Sequence, residues 1–158
     1  MSVNQIGLDT DKSSKLAEKL NKLLADYQLF YMNVRGFHWN IKGPEFFELH
    51  VKFEELYNNL LTKVDDIAER IVTLGKTPLH TYSDYAKVTD VKEAKDISNG
   101  KQSVQAIIDT FTALLVQQRD ILAMAADLND EGTASQMSDY IVEQEKMVWM
   151  YNAYLGGK

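Results

Sequence analysis

The chain has 158 residues, 45% of them hydrophobic, with eight Tyr, six Phe and two Trp, and a net charge of -6. That composition suits a single domain over residues 1–158 with one sizeable core and a short tail over about the first eleven residues, and it argues against wholesale disorder. The acidic balance excludes a surface built broadly for phosphate backbones, the lack of cysteine excludes disulfides and thiol chemistry, and no apolar run nears the roughly 20 residues of a membrane span. Met1 to Asp11 has neither a basic start nor an apolar stretch, so no secretory signal is read there and a cytoplasmic location is expected.

Leu16, Leu20, Leu23, Leu24, Tyr27, Phe30, Tyr31 and Val34 recur at helical spacing and predict a helix from about Lys12 to Phe37. Gly43-Pro44-Glu45 reads as a start signal, with proline at the first helical position followed by an acid near the positive end of the dipole. The second helix then runs to about Leu74, where Gly75 and Pro78 close it. Lys76 to Gly100 is a long connection; a segment of that length carries structure of its own, here a short helix expected over Asp90 to Ile97. Val104, Ile107, Ile108, Phe111, Leu115, Ile121 and Leu122 predict a third long helix from about Lys101 to Leu128. After the turn Asn129-Asp130-Glu131-Gly132, Thr133 and Gln136 read as a capping box for a fourth, ending near Leu155. The expected fold is all-α: a ferritin-like four-helix bundle with a long crossover carrying a short helix, rather than an up-down bundle.

The second helix carries His50, Glu54, Asp65 and Glu69. At 3.6 residues per turn these lie at about 0°, 40°, 60° and 100° round the axis, one stripe along the rod. The stripe borders the apolar arc of Phe46, Leu49, Phe53, Leu56, Leu60, Val64, Ile67 and Ile71, whereas Glu48, Lys52, Asn59, Lys63 and Asp66 fall on the solvated back. Imidazole with carboxylates and no sulfur suits iron, manganese or zinc. Axial distance forbids one shared cluster, because Glu54 to Asp65 spans about 16 Å of rise and His50 to Glu69 about 28 Å.

Other helices of the same chain could complete each half, but no Glu-x-x-His occurs and the last two helices contain no histidine. Symmetry offers the alternative. His50 and Glu69 are equidistant from a point between Asn59 and Leu60, and so are Glu54 and Asp65. Two antiparallel copies of the helix about a two-fold axis there would set the first pair of one chain beside the second pair of its mate, giving two identical sites. Phe47 and Leu61 lie in the same arc and supply apolar contact surface. The plainer account is an ordinary polar boundary, but acids without matching bases beside a core are costly unless water or a metal compensates. His38, at the end of the first helix beside Trp39, extends the set, while His80 in the long connection reads as a solvated loop histidine.

His38-Trp39-Asn40-Ile41-Lys42-Gly43-Pro44, Phe47-x-Leu49-His50, Phe53-Glu54-Glu55-Leu56-Tyr57 and Asp65-x-x-Ala68-Glu69-Arg70, in that order, resemble the Dps family of mini-ferritins, and the resemblance extends over essentially the whole chain. It implies a dodecameric hollow shell built from two-fold dimers, with ferroxidase centres of two irons at the dimer interfaces. His38, His50 and Glu54 would come from one subunit, Asp65 and Glu69 from its mate. Many members have Asp at the position of Glu54, which keeps the charge here but adds a methylene. The implied activity is oxidation of Fe(II), with hydrogen peroxide as the preferred oxidant, and storage of the ferric product. Trp39 beside the site would either pack or scavenge a stray oxidising equivalent.

Asp130, Glu131 and Asp139 are candidate acids of the pores through which ions enter such shells, or simply a solvated turn. DNA-binding relatives use lysine-rich tails, whereas the first eleven residues here hold no Lys or Arg, so weak or no DNA binding is expected. The competing functions are a non-enzymatic helical assembly, structural or DNA-compacting, with incidental metal binding, and a manganese or zinc site that serves assembly.

Overall fold

The computed structural model describes residues 1–157. Five helices follow in order: α1 Thr10–Asn40, α2 Phe46–Thr73, α3 Tyr82–Val88, α4 Gly100–Asp127 and α5 Glu131–Tyr154. Side-chain caps fix where four of them start. Asp9 accepts from Lys12 N, Thr81 from Asp84 N, Asn99 from Gln102 N and Asp130 from Thr133 N, each satisfying a helix N–H that has no partner within its own helix. None of the described helices is long and apolar enough to cross a membrane.

The four long helices form the expected bundle. The short connections 41–45 and 128–130 fold α1 back on α2 and α4 back on α5. Lys42 N bonds Ser98 O at 3.0 Å, and Lys42 pairs with Asn99 in a parallel bridge, so α2 and α4 start at the same end and run the same way. The crossover between them must therefore travel the length of the bundle. Leu16, Leu20, Leu23, Leu24, Tyr27, Phe30 and Val34 of α1 pack with Phe53, Leu60 and Ile67 of α2, Val104, Ile107 and Phe111 of α4 and Met137 of α5, all almost fully buried. Each such side chain contributes about 1.5–3 kcal/mol relative to exposure. Phe30 meets Phe111 edge-on at 5.0 Å between centroids.

Two local expectations are corrected. The short helix lies at Tyr82–Val88, not Asp90–Ile97. Residues 90–97 cannot coil because α1 takes their backbone groups: Asp90 N donates to Asp26, Ala94 N to Asn33, and Lys92 O accepts from Asn33. The cap of α5 is Asp130, with Thr133 as its partner three residues on, so the capping residue sits three residues earlier than the Thr133–Gln136 reading. Ahead of α1, Asn4 Oδ1 accepts from both Ile6 N and Leu8 N, and the helix begins at Thr10.

The back of α2 is not uniformly solvated either. Lys63 is only 5% exposed. Its Nζ donates to Glu143 of α5 at 2.6 Å and to Asn59 at 2.8 Å, and it sits over the Tyr140 ring. Glu48, Lys52 and Asp66 are exposed.

Candidate metal centre

His38 stands in the last turn of α1 and His50 in the second turn of α2, and the tight 41–45 connection lays the two rings face to face, 3.8 Å apart and 12° from parallel. Each ring reaches the other's backbone: His38 Nδ1 lies 2.6 Å from His50 O, and His50 Nδ1 lies 2.8 Å from His38 O. A carbonyl oxygen only accepts, so both Nδ1 atoms carry the proton and both Nε2 lone pairs are left free. An imidazole held this way through its other nitrogen is the usual form of a metal-ligating histidine. Phe46 stacks on the outer face of His50 at 5.0 Å and Tyr57 meets His38 edge-on at 5.3 Å, so the pair is clamped from both sides.

Glu54 lies one turn beyond His50 on α2, exposed, with the Tyr57 hydroxyl 3.5 Å from its Oε1. Asp65 and Glu69 lie further along the same helix, also exposed, and their carboxylates have no hydrogen bond or ion pair among the described residues. Arg70, the cation nearest them in sequence, turns away: it donates to Asp130 at 2.5 Å and to Thr133 Oγ1 at 2.8 Å. The chain thus brings His38 and His50 together with Glu54 one turn off, and leaves Asp65 and Glu69 apart from them. Among the described residues no three of His, Asp and Glu converge on one point in the monomer. The rise of α2 separates the two pairs, as a straight helix must.

Of the candidate pore acids, Asp130 is 2% exposed, caps α5 and pairs with Arg70, so it faces no channel. Glu131 is exposed, and Asp139 shares a cavity of about 400 Å³ with Asp66, Glu69 and Arg70. Trp39 is 57% exposed rather than packed in the core, with the Arg35 guanidinium 4.7 Å above its ring. The same guanidinium lies over Tyr31 and Tyr57, which ties Trp39 to the clamp on His38. Sequence reasoning missed the Tyr57 clamp, although its place one turn past Glu54 was readable, and missed the Arg70–Asp130 pair, which nothing local announces.

The model of the ferritin-like domain matches residues 17–157. A DNA protection during starvation protein of Porphyromonas gingivalis is 40% identical over 148 residues, which cover 94% of this chain and 93% of that one. An uncharacterised protein of Haemophilus influenzae is 58% identical over 153 residues, 97% of this chain and 96% of that one. Among solved structures, a Dps protein from Vibrio cholerae superposes with a TM-score of 0.97 at 58% identity over 98% of both chains. One from Bacillus brevis gives 0.90 at 32% identity, over 94% of this chain and 99% of that one. With its helix order, parallel α2 and α4 and long crossover shared with these structures, the chain belongs to the ferritin-like family and, within it, to the Dps proteins.

Proposed function

We propose that this chain is a ferroxidase and iron-storage protein that oxidises Fe(II) at dinuclear sites between two-fold-related subunits and keeps the ferric product inside a hollow shell. One observation carries the reading. Near its start α2 carries His50 and Glu54, with His38 of α1 stacked on His50 and both Nε2 atoms free; near its end it carries Asp65 and Glu69, whose carboxylates have no partner among the described residues, and His50/Glu69 and Glu54/Asp65 are each disposed equally about Asn59 and Leu60. A second α2, reversed across a two-fold axis, puts Asp65 and Glu69 of one subunit against His38, His50 and Glu54 of its mate. Phe47, 76% exposed, and Leu61, 46% exposed, offer that contact apolar surface. The Vibrio cholerae protein is described as a member of a broad superfamily of ferritin-like diiron-carboxylate proteins, which supports iron as the metal.

In this reading the irons are substrate. Each of two Fe(II) ions gives up one electron, and the pair reduces one hydrogen peroxide to two hydroxide ions without releasing a hydroxyl radical. Glu69 bridges the ions; His38, His50, Glu54 and Asp65 are terminal ligands, and the carbonyl-locked histidines hold their geometry while the iron charge changes. The shell is a dodecamer of two-fold dimers, with Glu131 and Asp139 as its remaining pore acids. DNA is bound weakly or not at all, since Met1 to Asp11 holds no Lys or Arg.

Anaerobic titration with Fe(II), followed by a peroxide pulse, tests the reading. The wild-type protein should take up two ions per site and oxidise them rapidly, and Asp65→Ala with Glu69→Ala should abolish both while light scattering still finds the shell. Unchanged oxidation in that double variant removes these residues from the chemistry.

A further inference from the structure

His80 sits in the connection between α2 and α3, which the structure holds fast. Asn21 of α1 grips it twice, its Oδ1 accepting from Leu79 N at 2.8 Å and its Nδ2 donating to Thr77 O at 3.2 Å. From the other side the Tyr85 hydroxyl donates to Leu79 O at 2.6 Å, and the Pro78 ring fixes its own φ. The imidazole is tied in turn, with His80 Nδ1 lying 3.0 Å from Pro78 O. The carbonyl can only accept, so Nδ1 holds the proton and Nε2 keeps a free lone pair, the same state as in His38 and His50. His80 is therefore a positioned imidazole on a braced loop, not a freely rotating one.

His80 and Asp65 line one cavity of about 570 Å³ between this loop and the outward side of α2, and no Lys or Arg among the described residues lines it. The other polar groups there are weaker metal ligands and partly engaged: the Tyr85 hydroxyl is committed to Leu79 O, and Gln28 Nε2 approaches that hydroxyl at 3.4 Å. A carboxylate without a partner and an imidazole with a free nitrogen, facing no cation, attract a divalent metal ion.

We propose that Asp65 and His80 form a staging site for one hydrated divalent cation, which waits there before passing to the dinuclear site. The proposal rests on the function proposed above, in that Asp65 serves both places. Only two protein ligands hold the ion and water fills the rest of its shell, so it binds weakly and exchanges readily. The imidazole favours Fe(II) or Zn(II) over Mg(II) and Ca(II).

Zn(II), which undergoes no redox change, is the probe. In the assembled full-length protein carrying His38→Gln and His50→Gln, equilibrium dialysis should find a weakly held Zn(II) ion on each subunit. Adding His80→Gln should weaken that ion's binding by about tenfold or more. In the otherwise native protein, His80→Gln should raise the Fe(II) concentration that gives half-maximal oxidation. Zn(II) binding that ignores His80→Gln, or an unchanged dependence on Fe(II), overturns the staging site. Because the dialysis reads no oxidation, it separates this failure from that of the dinuclear reading, which only the Asp65→Ala, Glu69→Ala kinetics would reveal.

Discussion

Inside the bundle the polar side chains close on one another, whereas along the outward strip of α2 they stay open. At the centre, the Tyr27 hydroxyl donates to Gln118 Oε1 and accepts from Gln144 Nε2, while Gln118 Nε2 donates to Gln144 Oε1: a ring of three hydrogen bonds joining α1, α4 and α5. Burial pushes the Tyr27 hydroxyl far above its ordinary range and that of Tyr140 up to about 12, so both stay neutral. Asp26 is likewise closed off, receiving Lys22, Gln117, Thr89 and the Asp90 N–H. The carboxylates of Asp65 and Glu69 receive nothing from the described residues. The contrast separates groups that fold the chain from groups kept free for something outside it, because a polar group left unpaired in the core would cost about 1–3 kcal/mol.

Mutations on either side of that contrast should report different things. The largest effect belongs to the open strip. Asp65→Ala with Glu69→Ala should cut peroxide-driven Fe(II) oxidation by about a thousandfold or more, some 4 kcal/mol of barrier, with little change in urea stability. If stability fell instead and activity held, the strip would be structural and the contrast would collapse. Next comes the closed ring. Gln144→Leu strands the Gln118 amide N–H and removes the bond that the Tyr27 hydroxyl accepts, and should cost about 2–3 kcal/mol in urea unfolding, while the surviving shells oxidise iron normally.

The Asp26 cluster should show its contribution through pH. Burial alone would raise the Asp26 carboxyl, but the bonds from Lys22, Gln117, Thr89 and Asp90 outweigh it and hold the carboxyl below its ordinary value. A depressed carboxylate contributes stability that is present above its unfolded pKa and lost as pH falls through the folded one. Asp26→Asn should therefore destabilise by about 1–2 kcal/mol at neutral pH, and the gap should close on acidification into and below the usual carboxylate range. Unfolding curves at a series of pH values would show it, and a gap that widened in acid would contradict the assignment. The smallest effect is expected at Glu54. Glu54→Asp keeps the charge and removes one methylene, so stopped-flow oxidation rates should stay within about threefold of wild type.

Much of the fold was legible in sequence because helical periodicity is local: Leu16 to Val34 declare one buried face without reference to anything distant. The stripe from His50 to Glu69 was legible for the same reason, since angular position on a helix follows from counting residues. The short helix was misplaced because what holds residues 90–97 extended is a pair of α1 side chains, Asp26 and Asn33, some sixty residues earlier. Lys63 was set on the solvated back because its partner, Glu143, lies eighty residues away on another helix.

The sequence by itself therefore determined that four long helices form, that one of them carries an imidazole and acids on a single line bordering its apolar arc, and that these are too far apart along the rod to share an ion. Only the tertiary structure decided which nitrogen of each histidine is free, because the acceptors that fix the rings, His50 O for His38 and His38 O for His50, meet them only when α1 and α2 pack. It also decided that Arg70 serves Asp130 rather than Glu69, and that His80, its ring tied to Pro78 O, lines one cavity with Asp65. Spacing along a helix is set by the chain's own geometry, whereas a hydrogen-bond partner is set by which surfaces the core brings together.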